Sequence, residues 1–184
     1  SVVLTANLTT GDASNSTYAG VISGAGALLK QGTGTFTVTG ANTYSGGTVV
    51  LAGTLEGNTT SLQGGILVNA GGTLLFTQPA DGTYAGALTG AGTVTKAGAG
   101  NLTLSGTNSG FAGTTNLNGG TVSIASAANI GTGTLAFAGG TLATTGATTL
   151  ANAVTLGAGG GTINTGAATT LSGVISGTGA LTKT

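Results

Sequence analysis

The 184-residue chain contains no cysteine, histidine, tryptophan, methionine or arginine. Without cysteine there is no disulfide framework and no thiolate. Without cysteine and histidine the common soft metal ligands are gone, and so are nucleophile–imidazole triads. Charge is scarce as well, at 3% of residues. Lys30, Lys96 and Lys183 are the only bases, and Asp12, Glu56 and Asp81 the only acids. A formal net charge of zero argues against an electrostatic partner such as nucleic acid or an anionic membrane. Glycoside hydrolysis needs two carboxyls at a set separation. Asp12 and Asp81 instead precede Tyr18 and Tyr84 in polar segments and read as turn formers. The Asp-bearing nonapeptide of calcium-binding β-rolls is absent. No catalytic residue, cofactor or metal site is expected. Pro79 is the only proline, which marks 78–82 as a loop because proline cannot serve a central ladder. No apolar run is long enough to span a bilayer.

What the chain has in abundance is glycine, 39 residues of it, and a repeat. The stretch 18–55 returns at 84–122 and begins a third time at 171–184. Alignment places Gly20, Gly86 and Gly173 in one column. Gly24, Gly90 and Gly177 form the next, and Gly26, Gly92 and Gly179 another. Lys30, Lys96 and Lys183 share a fourth, so every base occupies one repeat position. Asn42 pairs with Asn108, and Tyr44 with Phe111 after a one-residue insertion. Self-similarity of this kind is the signature of a solenoid.

Alternation identifies the solenoid. In Thr35–Thr39 the residues Phe36 and Val38 point one way and the threonines the other. The same period of two runs through 101–105, 121–124 and 134–137, which means short half-buried strands. Threonine suits the wet side because its branched carbon favours extended backbone. Further strands are expected at 1–7, 66–68, 73–76, 141–143, 154–156 and 162–164. Loops are expected at 9–17 and 56–65, and a corner or single helical turn at 126–130. Glycine steps between strands permit tight corners. The expectation is one all-β domain over 1–184, a parallel β-helix. At roughly 20 residues per coil it has about nine coils and a length on the order of 45 Å. Disorder is the competing reading, but recurrent Leu, Ile, Val and Phe at period two supply a narrow core that disordered chains lack.

The string Gly24, Gly26, Leu28, Lys30, Gly32, Gly34, Phe36, Val38, Gly40, Asn42, Tyr44, Gly46, Gly47, Thr48 resembles the autotransporter-associated β-strand repeat, also called the passenger-associated transport repeat. The second copy follows the same pattern from Gly90 and Gly92 through Lys96 and Asn108, with Phe111 in place of tyrosine. The resemblance implies a right-handed parallel β-helix within the passenger of a type V secreted protein. It also implies a C-terminal β-barrel translocator elsewhere in the full-length protein and display at the bacterial cell surface. Such passengers act as adhesins, stalks or secretion-assisting β-helices. The partners it suggests are host surface glycans or matrix.

The residues leave other readings open beside it. Open solenoid ends invite strand addition, so an extracellular fibre of copies stacked end to end is the alternative. The absence of an initiating methionine and the interrupted third copy suggest an excised or processed piece of a longer protein. The lysines, placed at one repeat position, would line a surface for an anion or glycan, or else cap corners. Tyr18, Tyr44 and Tyr84 would pack in the core or at corners. Asn42 and Asn108 would bridge successive coils. A face carrying Thr35, Thr37, Thr39, Thr93, Thr95 and Thr103 would present hydroxyls to ordered water.

Overall fold

Every strand of the computed structural model, which describes residues 1–184, pairs in parallel with the strand about one coil away. Strands are three to six residues long. They are short because a corner, in most cases one bearing glycine, ends each one. Gly24, Gly90 and Gly177 take φ of 99°, 99° and 113°. In this left-handed region any other residue is strained. A Cβ at Gly24 would also sit 2.3 Å from the Leu4 carbonyl of the coil below.

The strands form three faces, visited in a fixed order. The third face is the longest: nine strands from Ser16–Tyr18 to Ile175–Gly177, one per coil. The first face holds Val2–Leu4 and Ile22–Gly24, then six strands from Gly82–Tyr84 to Leu181–Lys183. The second holds five from Leu8–Thr10 to Leu88–Gly90, then Thr148–Leu150 and Thr169–Leu171. Nine coils agree with the number read from the sequence.

One side chain in two points inward, and the inward columns make a single core of 30 buried residues. On the third face one column runs Phe36, Leu55, Leu74, Val94. Burying an aliphatic side chain is worth about 1.5–3 kcal/mol, so each coil is held mainly by the two beside it.

Most expected strands are present, with small corrections. Glu56 lies within strand Gly53–Gly57 rather than in a loop. Its carboxylate accepts the hydroxyls of Thr37 and Thr77 from the adjoining coils, at 3.1 and 2.7 Å. The segment 9–17 is strand at both ends, since Leu8–Thr10 and Ser16–Tyr18 reach into it. The turn expected at 126–130 is a 3-10 turn at Ala127–Asn129.

Candidate functional site

The three copies of the repeat do not stack on one another. Lys30 lies on the second face, Lys96 on the third and Lys183 on the first. The strands Ile22–Gly24, Leu88–Gly90 and Ile175–Gly177 advance in the same way, from first face to second to third. The offset between copies is a whole number of coils plus one side, so each copy is turned by one side about the axis. A row of lysines along one surface is therefore excluded.

Lys30 and Lys96 point into the core. Lys30 stands in the inward column with Val50 and Val68, and Lys96 in the column with Phe76, Leu117 and Phe137. Their exposures are 0% and 1%. Each occupies the inward position next to a corner, so its stem lies in the core while its ammonium reaches the corner's carbonyls. The Lys30 Nζ donates to Gln31 O at 2.8 Å, Gly32 O at 2.9 Å and Ala52 O at 3.1 Å. The Lys96 Nζ donates to Ala97 O at 2.9 Å, Gly98 O at 2.8 Å and Gly119 O at 3.2 Å. In both cases two acceptors belong to the lysine's own corner and the third to the corner one coil on. The lysine thus ties two coils together from inside.

The next corner is shaped to permit this. Gly53 and Gly120 have φ of 63° and 60°, and a Cβ at either would lie 2.8 Å from the lysine nitrogen. Burial pushes the pKa of both ammonium groups down, and the charge of Asp12 pulls Lys30 partly back up. The three carbonyl dipoles supply the partners that a buried charge requires. Lys183 occupies the same repeat position but is exposed.

The asparagines do related work. Asn42, 3% exposed, accepts from Ile22 N–H at 2.8 Å and donates to Ser61 O at 2.7 Å. Asn108 accepts from Leu88 N–H at 2.7 Å and donates to Asn129 O. Each carboxamide reaches one coil back and one coil forward, so three coils are joined. Asn129 and Asn152, which fall in no repeat column, serve in the same way. Asn129 closes its own turn and donates to Gly106 O, while Asn152 donates to Gly131 O and Gly133 O. Their signal in the sequence is their spacing after Asn108, about one coil at each step.

Tyr44 and Phe111 are buried at equivalent positions. The Tyr44 hydroxyl meets Thr48 Oγ1 at 2.8 Å and accepts the Gln63 N–H. Tyr84 donates to Gly64 O and stands edge-on to Phe76 with ring centroids 5.3 Å apart. Burial raises the pKa of both phenols. Gly26, Gly92 and Gly179 lie where a Cβ would be 2.0–2.2 Å from a carbonyl of the neighbouring coil.

Thr35, Thr54, Thr73, Thr93 and Thr114 stack as one outward column on the third face. The neighbouring column reads Thr37, Glu56, Leu75, Thr95, Asn116, so the hydroxylated surface is one residue wide. The acids have local structural partners. Asp12 accepts Ser14 N–H, and Asp81 accepts Asn101 N–H from the next coil.

The model of the passenger-associated-transport-repeat family matches residues 28–56 and 94–124. These are the segments that carry Lys30 with Asn42 and Lys96 with Asn108. The resemblance read from the two complete copies is thereby shown, and the chain carries two repeats of this family. Over 98 residues the chain is 39% identical to an adhesin autotransporter, BmaC, of Brucella suis. That match takes in 50% of this chain and 3% of the relative's length. No solved structure matches.

Proposed function

We propose that this chain is a non-catalytic segment of an autotransporter passenger displayed at the bacterial surface, where it serves as a rigid stalk and helps its own export by folding coil by coil. One observation carries the reading. Both matched repeats contain an inward lysine and an inward asparagine whose partners come from successive coils.

In a nearest-neighbour solenoid, folding propagates from coil to coil. A coil that is already formed leaves its lysine short of one carbonyl and its asparagine short of one acceptor. The next coil supplies both, so the polar partners reward addition in register. A chain with 3% charged residues and no cysteine also suits passage through a narrow pore in an extended form. The name of the relative supports an adhesive role for the whole protein. This segment's contribution is then to hold the binding part away from the cell.

The test is secretion of the full passenger with Lys96→Met and Asn108→Leu introduced together. Surface display, read by protease accessibility on intact cells, falls while synthesis is unchanged. Unaltered display would overturn the export role. Loss of adhesion with display intact would instead place ligand binding in this segment.

A further inference from the structure

Beyond any role in export, the corner that holds Lys96 contains a chemically labile pair. Asn118 is exposed and is followed by Gly119. Its carboxamide makes no hydrogen bond, and the Gly119 N–H has no acceptor. Asn118 is joined to the fold only through its backbone N–H, which donates to Lys96 O at 3.0 Å. The Gly119 carbonyl is the third acceptor of the Lys96 ammonium. The buried asparagines Asn42, Asn108, Asn129 and Asn152 differ, because each carboxamide is hydrogen-bonded and none precedes glycine. Asn69 and Asn164 also have free carboxamides but precede Ala70 and Thr165, whose side chains hinder the following nitrogen.

We infer that Asn118–Gly119 is a site of spontaneous deamidation that opens the Lys96 corner. The Gly119 backbone nitrogen gives up its proton and attacks Asn118 Cγ. A new N–Cγ bond closes a five-membered succinimide, the Cγ–Nδ2 bond breaks, and ammonia leaves. Water then adds to either ring carbonyl and yields aspartate or isoaspartate. The isoaspartate route inserts the β-carbon of residue 118 into the main chain just ahead of the Gly119 nitrogen, which lengthens the chain leading to the Gly119 carbonyl. That carbonyl must move, and the lysine loses its contact with the following coil.

The first repeat is a built-in control. There Leu51 and Ala52 occupy the places of Asn118 and Gly119, and Ala52 O takes the same bond from Lys30. The reaction is impossible at that corner. In a displayed stalk that is not replaced, the second repeat would therefore loosen with age and the first would not.

The experiment incubates the folded chain at mildly alkaline pH and maps peptides by mass. Isoaspartate is scored by an isoaspartyl methyltransferase, and lysine access by an amine-acylating reagent. The expected result is conversion at Asn118 ahead of every other asparagine. Lys96 becomes acylated in the converted molecules while Lys30 stays protected. Asn118→Gln should abolish conversion and Gly119→Ala should slow it to the rate at Asn69, and Gly119 has room for a methyl, since only Gly98 O lies near, at 3.9 Å. Conversion no faster than at Asn69 or Asn164 would overturn the site. Conversion with Lys96 still protected would overturn its effect on the corner.

Discussion

Replacing Lys30 by methionine keeps most of the buried stem and removes the ammonium. Three carbonyls lose a donor: Gln31, Gly32 and Ala52. None of them takes a backbone N–H as well, so all three are left without a protein partner. An unsatisfied buried polar group costs about 1–3 kcal/mol. These corners are partly open, with Gln31 exposed and Gly32 and Ala52 half-buried, so water recovers part of that. Relief from burying a charge offsets more. The expected loss is about 2–4 kcal/mol.

Lys96→Met should cost less, because Ala97 O retains the N–H of Gln78 at 2.9 Å. Lys183→Met should cost nothing measurable, since that side chain is exposed. Equilibrium urea unfolding of the three variants gives the order. Because solenoid coils can open separately, amide exchange at residues 31–34 and 52–54 should be followed beside it. The reasoning is refuted if Lys30→Met is no worse than Lys183→Met, or if Lys96→Met is the most damaging of the three.

Asn108→Leu leaves the Leu88 N–H and the Asn129 carbonyl unpaired in the core and should cost about 2–5 kcal/mol by urea unfolding. Gly120→Ala should destabilise strongly, because its φ is 60° and its Cβ would lie 2.4 Å from Gly98 O; Gly119→Ala next to it should unfold at nearly the wild-type midpoint. Tyr44 and Tyr84 have raised phenol pKa values, so the stability they lend is complete below the unfolded value near 10 and is lost as pH climbs through their folded values. The part of the absorbance near 295 nm (about that wavelength reports phenolate) that comes from these two phenols should therefore rise late and together with unfolding, whereas a full tyrosine amplitude with the circular dichroism unchanged would contradict the burial. Lys30 and Lys96 act in the opposite sense, since their lowered values let the fold gain stability as pH rises toward 10.5, which is why the phenol signal is the cleaner readout.

The strands and their corners were legible because both are local. Period two in Thr35–Val38 and in Asn101–Leu104 names the inward residues directly, and glycine marks where each run stops. Glu56 was misplaced because charge suggests a loop. On an outward strand position, with threonine hydroxyls from the coils on both sides, a carboxylate is well solvated and partnered. The inward direction of the lysines was also within reach. In Leu28–Lys30 and Val94–Lys96 the same period that sends the apolar residue in sends the lysine in as well. Lysine ordinarily belongs on the surface, which runs against the alternation. That preference is set aside here because three carbonyls wait at the corner.

What the sequence could not reveal is how its repeats sit around the axis. Aligned columns invite the picture of stacked copies, with like residues forming rows. Whether they do depends on the remainder when the spacing of copies is divided by the length of a coil, and a coil's length is fixed only by corners and pairing register. Here the remainder is one side. The rows that do form are made of unlike repeat positions, such as Lys96 between Phe76 and Leu117. The lysine and asparagine ties therefore appear in turn on different faces. A solenoid tied along one face alone could hinge about that line. With Lys30 on the second face and Lys96 on the third, the ties resist bending in more than one direction, which is the property a stalk requires.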